Sequence, residues 1–236
     1  MGKDETPTYA QIIKEIKAKR DPEAIAGMAR YGIAPEGNYG VCTPTLFDMA
    51  RRVGKDHALA AELWASGIRD ARIVAFMIDD PKAVTEEQMD SWVNDFGSWD
   101  ICDGCCLHLF ADTAPAVKKA LQWTKREEEF VKRAGYVMIA VISIHDKESG
   151  DDVFRAFFPL IVSGSTDERN YVKKAVNWAL RQIGKRNLRL NKEAIVVAKR
   201  IQKLDSKAAR WIASDAIREL ASKKVQERLK KKAAKS

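Results

Sequence analysis

Apolar positions along this chain recur at three- and four-residue intervals, while runs that alternate apolar with polar residues are few, as are Asn-Gly or Asp-Gly hairpin signals. The pattern predicts helices almost throughout. The apolar run "VMIAVISI" (137–144) has the composition of a buried strand. It continues without a break from "EEEFVKRAGY", so the two together read as one long helix with an apolar face. Expected helix boundaries recur every 15 to 20 residues. "DPEAIAGMARYG" starts at Asp21 with Pro22 in its first turn and stops at Gly32; "TPTLFDMARRVG" starts at Thr43–Pro44 and stops at Gly54. "STDERNYVKKAVNWALRQIG" offers Ser165 or Thr166 as cap, Asp167 and Glu168 for the helix dipole, and Gly184 as its stop.

Four segments share a local pattern: "RDARIVAFMI" (69–78), "VKRAGYVMIA" (131–140), "VKKAVNWALR" (172–181) and "SKAARWIASD" (206–215). Aligning Ala71, Ala134, Ala175 and Ala208 places Val74, Val137, Trp178 and Trp211 three residues later. A small residue lets a neighbouring helix approach, and the larger one a turn on is expected to fill the core. The spacings of 63, 41 and 33 residues make the repeat degenerate. Stacked helical hairpins account for it, an all-α array of tandem HEAT-like repeats forming a curved superhelix with a concave face; an irregular helical bundle is the alternative. Lys132, Arg133, Lys173 and Lys174 fall just before the aligned alanines, consistent with a basic strip along one face.

Composition agrees with a folded helical protein: 46% of the 236 residues are hydrophobic, and Pro (7) and Gly (13) are sparse. No apolar run is long enough to cross a membrane, and the charged N-terminus "MGKDETPTYAQ" does not read as a secretory signal. Cys42, Cys102, Cys105 and Cys106 then suggest a reduced, cytoplasmic setting. Cys102 and Cys105 form a CxxC with His108 near by, but only Cys42 could add a distant thiolate, so no metal site is expected.

The charge of +8 is unevenly spread. Residues 165–203 carry 11 Lys/Arg against 3 Asp/Glu, and residues 223–236 carry 7 against 1, leaving 1–164 net acidic. A basic C-terminal third points to a polyanionic partner, most commonly nucleic acid. The expected organisation is one repeat domain over 1–222 and a flexible basic tail over 223–236.

The stretch "GSWDICDGCC" (97–106) holds the candidate chemistry. With Ser98 as cap, Trp99 and Asp103 lie four apart on one helix face, with Cys106 on the same side, Asp100 turned elsewhere, and Cys102 and Cys105 toward the core. A carboxylate repels phosphate and is a poor general DNA contact, but it stabilises the oxocarbenium character a deoxyribose acquires as its glycosidic bond breaks. An indole beside it could pack on the sugar. The plain alternative is a core tryptophan and an aspartate paired with Lys or Arg.

"DPEAIAGMARY" (21–31), "YGVCTP" (39–44), "WDICD" (99–103), "FVKRAG" (130–135) and "YVKKAVNWALRQIGKRN" (171–187) together resemble, in order and separation, the AlkD-type DNA alkylation repair glycosylases. The resemblance covers roughly residues 10–220. It implies an enzyme that hydrolyses the N-glycosidic bond of cationic alkylated purines, N3-methyladenine and N7-methylguanine, in double-stranded DNA. It also implies that no metal or organic cofactor is needed. The catalytic aspartate of the family matches Asp103, its two active-site tryptophans match Trp99 and Trp178, its essential arginine matches Arg133, and a tyrosine near the lesion matches Tyr31. On this reading Lys132, Lys173, Lys174, Arg181, Lys185 and Arg186 contact DNA, and the protein acts as a monomer. The chain departs from the family at Thr45–Leu46–Phe47, where a charged residue is expected, and in the loop "HDKESGDD" (145–152). A non-catalytic nucleic-acid-binding repeat protein and a protein–protein scaffold are the competing readings.

Overall fold

The computed structural model describes residues 6–234. Among these residues there are helices and turns and no strand. None of the helices is long and apolar enough to cross a membrane. The chain divides into two compact units, Met1–Ala114 and Pro115–Ser236.

The first unit contains α1 (Tyr9–Ala18), α2 (Pro22–Ala29), α3 (Thr43–Val53), α4 (His57–Ala65), α5 (Arg69–Ile78), α6 (Glu86–Asn94) and α7 (Trp99–His108). Its boundaries follow capping chemistry. Asp21 caps α2 by accepting from Glu23 and Ala24 N–H, both at 3.0 Å, and Gly54 ends α3 with φ +78°. The central helix is α5, with Ala71, Ile73, Val74, Ala75, Phe76 and Ile78 all buried, and α3, α4 and α7 pack on it. Trp64 stacks on Trp92 at 4.0 Å between centroids, and Phe96 and Phe110 extend this aromatic core.

The second unit contains α8 (Ala116–Trp123), α9 (Glu129–His145), α10 (Asp151–Arg155), α11 (Phe158–Gly164), α12 (Asn170–Gly184), α13 (Leu188–Ile201), α14 (Lys207–Leu220) and α15 (Lys223–Ala233). The run 137–144 is helical, as its continuity with the preceding segment predicts. Every residue from Arg133 to Ser143 is buried, so α9 is the core helix of this unit, covered by α8 and α12. Gly135 is required there: a Cβ would lie 2.5 Å from the backbone nitrogen of Thr124.

Three expectations are corrected. The helix expected to start at Ser165 or Thr166 starts at Asn170. Ser165 instead closes the end of α11, its hydroxyl donating to Val162 O at 2.7 Å, and Asp167 turns to Arg169. Second, of the residues following the aligned alanines, Val74 and Val137 fill the core, but Trp178 is half-buried and Trp211 is 43% exposed. The core stripe of α12 runs through Val172, Ala175, Val176, Ala179, Leu180 and Ile183, which leaves position 178 at its edge. Third, most of the basic tail is ordered. Residues 223–233 form α15, which buries Val225 and Leu229, and its Gln226 donates to Asn191 Oδ1 at 2.9 Å and Leu220 O at 2.7 Å. Residues 235–236 of that tail, and 1–5 of the N-terminal segment, lie outside the described residues.

Candidate functional site

In the first unit the site is assembled on α7. Asp100 faces away from the candidate pair and anchors the helix: Arg69, the first residue of α5, reaches Asp100 Oδ2 with both Nε and Nη2 at 2.7 Å. Ser98 holds the cap position, but its hydroxyl donates to Asp100 Oδ1 at 2.6 Å. One turn along, Gly104 lies against Phe76 of α5, where a Cβ would come within 2.7 Å of the ring. Two points therefore fix α7, one on each side of Asp103.

Trp99 is half-buried, and its Nε1 donates to the backbone carbonyl of Tyr31 at 2.9 Å. Tyr31 follows α2 and is 73% exposed. Asp103, half-buried, lies one turn after Trp99 on the same side of α7. Cys102, Cys105 and Cys106 are all buried, and burial pushes the Cys105 thiol well up, with the Cys102 thiol and Asp79 adding to the effect. They are core residues. Among the described residues no three His, Cys, Asp or Glu side chains form a group that could hold a metal ion.

The "YGVCTP" segment is held by Asp70, the second residue of α5. Its buried carboxylate accepts from Tyr39 N–H at 2.8 Å and Val41 N–H at 2.9 Å. Burial pushes this carboxyl up, against the pull of the Tyr39 and Val41 amides and of Arg69. Gly40 between them has φ +75°, and a Cβ there would meet Asp21 O at 2.5 Å. The segments 21–31, 39–44 and 99–103 are thus joined through Tyr31, Asp70 and Arg69.

In the second unit Arg133 is buried on α9. Its Nη1 donates to Tyr171 O at 2.6 Å, and its guanidinium carbon lies 6.0 Å from the centroid of the Tyr171 ring. On α12, Trp178 Nε1 donates to the Gln182 amide oxygen at 2.8 Å, which also accepts from Lys185 at 3.2 Å in the amide orientation that serves both. Glu219 of α14 accepts from Arg181 and, at 2.6 Å, from Lys185. Arg186 donates to the carbonyls of Ser143 and Asp146 and so holds the end of α9. Lys132 lies 3.4 Å from Glu127 and 3.6 Å from Asp167.

The lysines and arginines expected at the DNA therefore separate into two groups. Lys132, Arg181, Lys185 and Arg186 hold helices together within the unit, whereas Lys174 is exposed and Lys173 places its ammonium 5.4 Å from the centroid of the Trp211 ring. Further exposed cations that position-by-position reading did not single out are Lys199, Arg200 and Lys203 around the end of α13, and Lys207 and Arg210 on α14. Their only signal in the sequence is placement off the apolar stripe of each helix.

Fold and residues together define an all-helical protein with an aromatic–carboxylate pair on one helix and a cation-rich second unit. A family model for the DNA alkylation repair enzymes matches residues 12–220, and the chain belongs to that family. A solved structure described as a new family of proteins related to the HEAT-like repeat DNA glycosylases, with affinity for branched DNA structures, is similar in fold: its TM-score is 0.75 at 21% identity, over 90% of this chain and 95% of that one. The architecture is accordingly of the HEAT-like repeat type. No curated protein matches the chain.

Proposed function

We propose that the protein is a DNA glycosylase of base excision repair, acting on N3-methyladenine and N7-methylguanine in duplex DNA. The observation that carries the reading is the pairing of Trp99 and Asp103 on α7, with the indole fixed by the Tyr31 carbonyl, in a chain of the alkylation repair family. The substrate purine is already cationic, so it leaves readily. The C1′–N bond breaks with its electron pair going to the base and quenching that charge. The sugar gains oxocarbenium character, water adds at C1′ and gives up a proton, and the products are a free base and an abasic site.

Asp103 stabilises the sugar cation and orients the water. Trp99 packs on the deoxyribose and Trp178 supplies a second aromatic face. Arg133 acts at a phosphate flanking the lesion, its guanidinium oriented by the Tyr171 carbonyl. Lys173 and Lys174 add charge toward the DNA backbone. The chemistry calls for neither a metal nor an organic cofactor, and water as nucleophile makes the enzyme monofunctional.

A second reading, a non-catalytic binding module, is favoured by the affinity for branched DNA described for the structural relative. Release of methylated purines from methylated duplex DNA, by the native chain and by Asp103→Asn, decides between them. Release by the native chain alone supports the glycosylase. Salt-dependent DNA binding without release by either protein would establish the module, and equal release by both would remove Asp103 from the mechanism.

A further inference from the structure

The C-terminal helix α15 covers a cavity of about 500 Å³ whose charge is one-sided. Lys147, Arg186, Arg189 and Lys232 line it, with Asp151 as the sole carboxylate among its lining residues. That carboxylate is already engaged, by Asn187 Nδ2 at 2.7 Å and, at 3.7 and 3.8 Å, by Arg155 and Arg189. A second cavity of about 240 Å³ shares Lys147, Arg186 and Lys232 and adds Lys185 and Arg228. Arg186 spends its Nη1 on two backbone carbonyls and lies over the Phe154 ring, but its buried Nε makes no hydrogen bond.

The ordinary reading of such a tail is a solvated basic helix, and three features argue against it here. α15 is docked through Val225 and Leu229, and Lys232 Nζ is brought in to Arg186 O at 2.8 Å. Lys147, Lys185, Arg186, Arg189, Arg228 and Lys232 gather around the two cavities, whereas Lys223, Lys224, Lys230 and Lys231 of α15 stay outside them. The Lys232 ammonium is pushed below its usual range, first by burial and then by the charges of Lys147, Arg186 and Arg228. The first turn of α13, through Leu188 and Arg189, lines the same cavity.

We propose that this cavity binds a phosphate group, either free or as part of a DNA strand. Ser149 supplies a neutral hydroxyl donor at its rim. The inference needs only this cavity, and it stands whether or not the glycosylase reading holds.

The test is a melting-temperature titration with inorganic phosphate at ionic strength held constant with chloride. The native protein is compared with Lys147→Gln/Arg189→Gln, two exposed positions outside the proposed catalytic machinery. The expected result is saturable stabilisation of the native chain, with the half-saturating concentration raised about tenfold or more in the variant and the phosphate-free melting temperature unchanged. If the variant loses stability without phosphate, Ser149→Glu, which brings a negative charge to the rim, provides the same readout. Non-saturable stabilisation, or equal half-saturation in native and variant proteins, would overturn the proposal.

DNA binding over a salt series identifies the source of the phosphate. A slope reduced by about one to two in the double variant, with phosphate competing, assigns the cavity to a DNA strand. An unchanged slope alongside lost phosphate binding assigns it to a free phosphate. Methylated-purine release at saturating DNA is expected to be unchanged in either case, which separates failure of this site from failure of the catalytic reading.

Discussion

Trp99 and Tyr31 stand 68 residues apart and are joined by one hydrogen bond, from the indole Nε1 to the Tyr31 carbonyl at 2.9 Å. It fixes the indole plane one turn before Asp103. Trp99→Phe keeps an aromatic ring and removes this bond. The contact is exposed, so the expected loss of stability is small, about 0.5–1.5 kcal/mol, whereas methylated-purine release is expected to fall further because the ring is no longer held. Chemical denaturation and single-turnover excision measure the two. Excision at the native rate would show that the orientation of the indole is not used.

Gly104 permits α7 to lie against Phe76. Gly104→Ala places a Cβ 2.7 Å from a ring that is itself buried, so α7 must move. The expected destabilisation is about 1–3 kcal/mol, with a loss of excision beyond what unfolding explains, because Asp103 is the preceding residue. A urea midpoint equal to the native one would mean that Phe76 relaxes without moving the helix.

These two positions show what the sequence makes legible and what it does not. Helix boundaries that depend on nearest neighbours are readable, as at Asp21 with Pro22 and at Gly54, and so is the burial of the alanines at 71, 134, 175 and 208. The common face of Trp99 and Asp103 followed from helical period alone. Ser165 misled because a hydroxyl closes a helix end as readily as it starts one, and here it bonds back to Val162. The partners of Arg181 and Lys185 were illegible for a different reason. Composition reports the sign of charge and not its partner, and Glu219, which engages Arg181 and Lys185, lies 34 to 38 residues away. The tail looked flexible because only Val225 and Leu229 mark its apolar face, and two such residues signal a helix only once α13 and α14 are there to receive them.

Arg133 is almost wholly buried and donates to the Tyr171 carbonyl. Arg133→Ala is expected to weaken DNA binding and excision and to cost about 1–3 kcal/mol of stability, since a part-buried acceptor loses this hydrogen bond. Arg133→Lys keeps the charge without the fork, so it is expected to recover part of the binding and little of the excision. Unchanged affinity and rate in Arg133→Ala would reject any role at the DNA.

Glu219 holds Arg181 and Lys185, two of the cations expected at the DNA. Burial alone would raise its carboxyl, but Lys185 and Arg181 outweigh it and hold the group below the usual carboxylate range. A carboxyl lowered in the folded state adds stability above its unfolded value of about 4.3 and loses it as pH falls through the folded one. Glu219→Gln is therefore expected to be less stable than the native chain at about pH 6, with the gap closing toward about pH 3. The same substitution removes the carboxylate shared by Arg181 and Lys185 and leaves Arg181 only Asp215, at 3.5 Å, so DNA affinity at low salt is expected to rise and its salt dependence to steepen by up to about two phosphate contacts. Urea unfolding across pH and fluorescence anisotropy across salt read the two effects. Lower stability with unchanged DNA affinity would confine Arg181 and Lys185 to holding α12 against α14.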